Sequence, residues 1–142
     1  MGKIGHFPCC IKADALTVES GKIDTYIKTA EDEIASFIGV GLWAQELLTI
    51  NSGDIKVHYA PEFTALSYGL YCVKDLTING GSIEIKQEDA AALGVGIISS
   101  EKLTIAGGNI NVYGNDDAMN AKYFAMTGGT VNASAVDMFL AG

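Results

Sequence analysis

One pattern occurs five times in the 142-residue sequence: a short alternating apolar stretch, a turn that holds glycine, and a second alternating stretch. The step across the turn is constant. Val18 to Ile23 and Ile105 to Ile110 both span five residues, as do the equivalent pairs in the other three segments. The segments begin at Leu16, Leu48, Leu76, Leu103 and Phe124, at intervals of 32, 28, 27 and 21 residues. The constant length of the turn, together with the variable interval between segments, predicts a repeat architecture. In such a fold, equivalent residues of successive repeats stack on one another.

Alternation with period two on both sides of the turn predicts two short strands per repeat. A third strand is predicted upstream, in the stretches CIKA, GLWA, GLYC, GIIS and AMNA. The turn glycines are expected to adopt positive φ, which glycine tolerates without steric cost. The inward columns begin with Ile11/Leu42/Leu70/Ile97/Met119, Ala13/Ala44/Cys72/Ser99/Ala121 and Leu16/Leu48/Leu76/Leu103/Phe124. They continue with Val18/Ile50/Ile78/Ile105/Met126, Ile23/Ile55/Ile83/Ile110/Val131 and Thr25/Val57/Ile85/Val112/Ala133.

These columns predict an all-β fold, a parallel β-helix of about five coils with three short strands each. The chain is predicted to be a single domain over residues 1–142, with coils over about 10–134. Residues 1–9 are then an N-terminal cap and residues 135–142 a C-terminal cap. The competing fold is a β-sandwich of hairpins, but the constant turn and the longer, variable return segment favour the helix.

Composition excludes several classes of function. The chain has 9 basic and 17 acidic residues, a net charge of −8, and no arginine. Such a surface repels the phosphates of nucleic acids and of anionic membranes. No apolar run approaches the ~18 residues of a membrane span, and the first ten residues lack the apolar core of a signal peptide. Three cysteines are too few for a disulfide framework, so Cys9 and Cys10 are expected to be free thiols and Cys72 a buried small residue.

The stretches GVGLWAQELLTINSGDIKV, GVGIISSEKLTIAGGNINV and NDDAMNAKYFAMTGGTV resemble those of bacterial right-handed β-helix proteins of the pectate-lyase-like group. More narrowly, they are similar to the carbohydrate-binding or adhesin-like repeat domains of bacterial surface proteins. The resemblance covers Cys10 to Ser134. It implies a right-handed helix, an extracellular or cell-surface location, a polysaccharide or cell-surface glycan as partner, and calcium at acidic corners. A signal peptide would then have been trimmed or would lie outside this sequence.

Acidic residues open each return segment and supply the candidate metal site. Counted from the glycine column, Asp89 and Asp116 lie at the same position of successive repeats. Stacked carboxylates repel unless a cation lies between them, and Ca²⁺ prefers oxygen ligands of this kind. The predicted calcium ligands are Asp89, Asn115, Asp116 and Asp117. The alternative is a solvated acidic loop that binds no ion.

The outward column Lys12/Trp43/Tyr71/Ile98/Asn120 is the strongest binding feature. If Leu42 and Ala44 point inward, Trp43 points outward, and Tyr71 does the same one coil later. Sugar rings stack on exposed aromatic faces, which predicts glycan contact at Trp43, Tyr71 and Ile98. The alternative is that a loop, the C-terminal segment or a second copy of the chain covers this apolar patch.

A further outward column contains Tyr26, His58 and Tyr113, which could contact a polar ligand or form a plain solvated face. Beside it, Asp24, Lys56 and Glu84 alternate in charge, as cross-strand pairs in a stable exposed sheet do.

An enzymatic role is disfavoured. Lyases of the resembled group use an arginine base, and neither arginine nor a Gly-His-Gly motif occurs here. The sequence therefore predicts a non-catalytic bacterial surface module that binds polysaccharide. The alternatives are a structural or adhesive module that self-associates as a homo-oligomer and, third, a polysaccharide lyase or hydrolase that uses paired carboxylates.

Overall fold

A computed structural model describes residues 9–27, 39–59, 67–86, 94–114 and 116–135. These ranges form eleven β-strands and contain no helix. In the described part of the chain, accordingly, no helix is long and apolar enough to cross a membrane. The strands are β1 Cys9–Val18, β2 Lys22–Ile27, β3 Gly39–Ile50, β4 Asp54–Tyr59, β5 Ser67–Cys72, β6 Asp75–Ile78, β7 Ser82–Lys86, β8 Gly94–Ile105, β9 Asn109–Gly114, β10 Met119–Met126 and β11 Thr130–Ala135.

The strands form two sheets, and every pairing is parallel. The first sheet has the order β1-β3-β5-β8-β10, with β6 also lying between β3 and β8. The second sheet has the order β11-β9-β7-β4-β2. The chain alternates between the sheets and re-enters each one beside the strand it left. The all-β prediction is confirmed, and the alternative of antiparallel hairpins is wrong for the described strands.

The strand register follows the predicted columns. Leu42 pairs with Ile11 on one side and Leu70 on the other, and Ile55 pairs with Ile23 and Ile83 in the second sheet. The side chains that fill the space between the sheets come from these columns and are fully buried, among them Leu42, Leu48, Ile55, Leu70, Leu76, Ile83 and Leu103. Because side chains alternate across a strand, each column places apolar groups on the same face in every segment.

Three separate short strands, as predicted for every repeat, are found in one repeat, and the prediction is wrong for the other four. The upstream strand and the strand before the turn form one continuous strand in β1, β3, β8 and β10, and only β5 and β6 are separate. Between the buried Ala44 and Leu48 the chain bends outward, but Leu47 still pairs with Asp75 and the ladder stays in one sheet. In β1 and β10 this bend is one residue shorter, which produces the register shifts of a β-bulge.

Glycines at the start of the first-sheet strands let the two sheets approach closely. A Cβ atom added at Gly69 would lie 2.6 Å from the carbonyl oxygen of Gly96 and 2.6 Å from the Ile85 side chain. Gly41 and Gly96 face Val57 and Val112 in the same way. Only a residue without a side chain fits between the backbone and the aliphatic group of the facing sheet.

The turns between the sheets are also regular. Gly21, Gly53, Gly81, Gly108 and Gly129 all have positive φ, between 85° and 115°. At each turn a backbone amide of the later repeat donates a hydrogen bond to a carbonyl of the earlier repeat. The Asn51 amide donates to the Val18 carbonyl, and the Asp54 amide donates to the Gly21 carbonyl, both at 2.8 Å. Side chains add a second ladder, in which Asn79 donates to Asn51 at 2.8 Å and Asn51 donates to Glu19 at 3.2 Å.

Candidate functional site

The first sheet carries the aromatic column on its outer face. Trp43 pairs with Lys12 and Tyr71, and Tyr71 pairs with Ile98, in the predicted register. The Trp43 and Tyr71 rings stack with centroids 5.6 Å apart and planes 11° from parallel. Both side chains are half-buried. Since adjacent strands lie about 4.8 Å apart, one ring per strand is enough to bring the two rings into stacking contact.

The faces of the Trp43 ring are occupied within the column. Tyr71 stacks on one side, and the Lys12 ammonium lies 4.3 Å from the ring centroid in a cation–π contact. The expected exposed aromatic platform is therefore replaced by a stack that runs across the strands, with Lys12 and Tyr71 against the faces of the Trp43 ring.

Tyr68 lies beside this aromatic column, although the sequence pattern did not identify it as a candidate. Its ring meets that of Tyr71 edge-on, with centroids 5.3 Å apart and planes at 80°. The Tyr59 hydroxyl donates to the Tyr68 carbonyl. Burial raises the pKa of the Tyr68 phenol, and the neighbouring Tyr71 adds to the effect. Strict alternation along β5 predicts that Tyr68 points inward, like Leu70. Because Gly69 and Leu70 both face the core, Tyr68 points outward instead.

The second outward column lies on the other sheet. Tyr26 pairs with His58, His58 with Lys86, and Tyr113 with Ser134. The Tyr26 side chain is exposed, while His58 and Tyr113 are half-buried. The structure thus places these three predicted residues on a different sheet from Trp43, and they form no single site with it.

A shallow groove of about 490 Å³ runs over the β7–β9–β11 end of the second sheet. Its outward polar side chains include Glu84, Lys86, Asn111, Tyr113 and Asn132. Asn132 donates to Asn111 at 3.0 Å, so the two amides orient one another. Its polar lining suits hydroxyl-rich ligands, and among the described residues that line it only Tyr113 is aromatic.

The predicted metal residues lie partly outside the described ranges, since Asp89 and Asn115 are not among the described residues. Asp116 and Asp117 are half-buried next to β10. The Asp117 carboxylate accepts from the Asn120 amide at 3.0 Å, and its carbonyl accepts from the Gly96 amide at 3.2 Å. Nowhere in the described ranges do three potential metal-ligating side chains cluster. Asp116 and Asp117 do not by themselves make up a calcium site.

Charged side chains alternate along the bend of the first sheet. Lys74 forms an ion pair with Glu46, and Lys122 forms one with Glu101 at 3.3 Å. The Glu46 carboxylate raises the pKa of the Lys74 ammonium. Both pairs are well exposed, so each adds little to stability. Their arrangement nevertheless sets an alternating sequence of charge from one strand to the next.

Cys9 and Cys10 are free thiols at the start of β1. Burial raises the pKa of Cys9 from 9.0 to about 11, and it also raises the pKa of Cys10. Because the thiolate is the nucleophile, Cys9 should react with iodoacetamide about a hundredfold more slowly at pH 8 than the same cysteine in urea-unfolded chain. Residue-resolved mass spectrometry against pH checks this. A Cys9 midpoint near 9 in the folded chain would contradict it.

These features define the chain as an all-β protein of two parallel sheets that bears a half-buried aromatic column on one outer face. The family comparison places it more narrowly. A family model described as "Carbohydrate-binding domain-containing protein" matches residues 9–138, and the chain belongs to this family. The match is to this family and does not name the wider pectate-lyase-like group. Neither the curated proteins nor the solved structures include a match to the chain.

Proposed function

We propose that the protein is a non-catalytic polysaccharide-binding module and that the aromatic column of the first sheet contacts the glycan. Membership of a carbohydrate-binding family supports the binding role. We assign binding to this surface because Lys12, Trp43 and Tyr71 form an ordered, half-exposed array with Tyr68 beside it. An extracellular or cell-surface location follows from such a role and is part of the proposal.

The column suits a linear glycan because it runs across the strands. Each strand contributes one side chain, so contacts recur at the strand spacing of about 4.8 Å, and successive sugar units can meet successive side chains. Ring stacking and the Lys12 contact hold the aromatic groups in place before a ligand arrives, which lowers the entropy lost on binding. The tyrosine hydroxyls supply hydrogen bonds beside an apolar ring surface.

We also propose the finer architecture, a right-handed parallel β-helix of five coils with the two sheets as opposing walls. The alternation of the chain between two parallel sheets supports it. Crossover connections between parallel strands of one sheet are right-handed in about 98% of cases. The resemblance to pectate-lyase-like proteins belongs to this proposal as well.

Calcium dependence is a separate proposal that rests on the acidic sequence cluster of Asp89, Asn115, Asp116 and Asp117. With a net charge of −8 the chain repels anionic sugars, and a bridging cation would remove that repulsion. Carboxylate and amide oxygens are suitable ligands for Ca²⁺. Under this proposal a chelator weakens binding to uronate-containing glycans more than binding to neutral ones.

The test is affinity electrophoresis against neutral and acidic polysaccharides, with calcium and with chelator, for the wild type and two variants. Trp43→Ala removes the centre of the column and should weaken glycan affinity at least about tenfold, as the loss of a buried aromatic anchor does. Tyr26→Ala is the matched control on the other sheet and should bind like the wild type. Circular dichroism would verify that both variants are folded.

Other outcomes separate the alternatives. If Tyr26→Ala loses affinity and Trp43→Ala does not, the contact surface is on the second sheet. If Trp43→Ala leaves affinity intact but reduces the oligomer size seen by light scattering, the column is a self-association surface. Absence of retardation on every gel would contradict glycan binding within that panel.

A further inference from the structure

Within the described residues, the two sheets end at an edge where apolar side chains are exposed, and the predicted caps lie outside the described residues except for Cys9 and Ala135. Phe124, Met126 and Tyr123 of β10 are 53%, 44% and 60% exposed, although Phe124 and Met126 continue columns that are fully buried in β8. Beside them on β11, Val131 is half-buried and Ala133 is exposed. We call the outer side of β10 and β11 the tail edge. Exposed apolar strand edges are templates for pairing with another chain.

At the opposite edge lie β1 and β2, here called the head edge. Ile11, Leu16 and Ile23 are half-buried there and belong to the same three columns as Met119, Phe124 and Val131. Among the described strands, β1 pairs only with β3, and β2 only with β4. The head edge of one copy therefore matches the tail edge of another in spacing, in register and in apolar character.

Backbone polarity favours the same arrangement. At every described turn the later segment donates to the earlier one: Thr127 donates to Ile105 at 2.8 Å and Thr130 to Gly108 at 2.9 Å. The equivalent acceptors at the tail edge are the carbonyls of Met126 and Gly129. The equivalent donors at the head edge are the amides of Glu19 and Lys22. At the turns, acceptors thus lie at the tail edge and donors at the head edge, which favours head-to-tail contact over tail-to-tail contact there.

The side-chain charges at the junction also favour head-to-tail contact. The bend of the first sheet carries the series Glu46, Lys74, Glu101, Lys122, and Asp14 occupies the corresponding bend of β1. In a head-to-tail stack Lys122 of one copy would face Asp14 of the next, so opposite charges would meet at the junction, whereas Asp14 and Glu46 within one chain carry the same charge. Opposite charges on directly neighbouring strands stabilise the pairing, and like charges oppose it.

We infer that this chain self-assembles head to tail, with the tail edge β10–β11 of one copy continuing the parallel sheets of the next at the head edge β1–β2. Such a contact is heterologous and does not close, so assembly yields open, growing stacks whose length depends on concentration. This inference rests on the strand edges, whereas the proposed glycan site lies on the outer face of the first sheet and shares Lys12 of β1 with the head edge.

The test is sedimentation velocity of the full chain at low ionic strength over a range of concentrations. Wild-type protein should show a sedimentation coefficient that rises past that of a dimer. Asp14→Lys and Lys122→Glu each place like charges at the junction and should weaken association about fivefold or more. An equimolar mixture of the two variants restores opposite charges at every junction and should assemble like the wild type.

Two further variants keep the result interpretable. Lys102→Glu makes the same charge change as Lys122→Glu but one segment before the tail edge, so it should assemble normally. Phe124→Asp places a carboxylate in the centre of the tail edge and should abolish assembly, while circular dichroism verifies folding. A wild type that stays monomeric at all concentrations, or that stops at a dimer unaffected by Asp14→Lys, would overturn the inference.

Discussion

Leu48→Ala is expected to lower the free energy of unfolding by about 3–5 kcal/mol. Leu48 is fully buried, and its column neighbours are Leu16 and Leu76 on the flanking strands. The flanking strands are fixed by hydrogen bonds at the inter-strand distance, so the structure cannot collapse into the cavity that alanine leaves. Chemical denaturation followed by far-UV circular dichroism measures the loss.

The adjacent residue provides a matched control for the same substitution. Leu47 is 49% exposed on the bend of β3, so Leu47→Ala removes the same atoms from a solvated position. It should cost about 0.5 kcal/mol or less. Equal losses for Leu47→Ala and Leu48→Ala would mean that the inward assignment of this column is mistaken.

Gly69→Ala is expected to cost about 3 kcal/mol, although it adds only one methyl group. The new Cβ would lie 2.6 Å from the Gly96 carbonyl and 2.6 Å from the Ile85 side chain, so backbone and core must both shift. Because Gly69 lies between Tyr68 and Leu70, the shift should also disturb the edge contact between Tyr68 and Tyr71. A reduced near-UV circular dichroism signal at unchanged far-UV signal would report that local change.

Gly21→Ala serves as the comparison for Gly69→Ala. Gly21 has φ of 96°, but an added Cβ would meet no atom within 4 Å. The cost is then backbone strain alone, about 1–2 kcal/mol. If Gly69→Ala proved as mild as Gly21→Ala, the close approach of the two sheets at Gly69 would not exist, and the outward turn of Tyr68 would need another cause.

These predictions connect the packing of the sheets with the proposed binding surface. The aromatic column stands on β3 and β5, whose inward residues Leu42, Ala44, Leu70 and Cys72 are all fully buried. The packing of these buried residues holds Trp43 and Tyr71 in contact in the absence of a ligand. Substitutions of these buried residues should therefore reduce glycan affinity as well as stability, while Asp14→Lys and Lys122→Glu should change assembly and leave glycan affinity intact.

Much of the architecture could be predicted because its signals are local. The five-residue step across the glycine turn and the period-two alternation identify which residues face inward. Those two signals suffice to align Leu16 with Leu48 or Ile23 with Ile55, and the observed pairs agree. Positive φ at the turn glycines follows in the same way, since glycine adopts it at least cost.

Other features depend on contacts between segments distant in sequence. The bend between Ala44 and Leu48 interrupts the alternation, and only the ladder to Asp75 reveals that the chain stays in the same sheet. Likewise, Tyr68 faces outward because Gly69 packs against Ile85 of the other sheet. Alternation within one strand carries no information about that contact.

The sequence by itself determined the strand columns, the glycine turns and the inward-facing sides of the strands, because these depend on side-chain polarity and backbone freedom within a few residues. Tertiary structure alone decided how the outward residues are used. It stacked Trp43 against Tyr71 and placed Lys12 over the remaining ring face, and it separated Tyr26, His58 and Tyr113 onto the other sheet. The physical reason is that the 4.8 Å spacing between strands, which no single segment encodes, sets which outward groups touch one another.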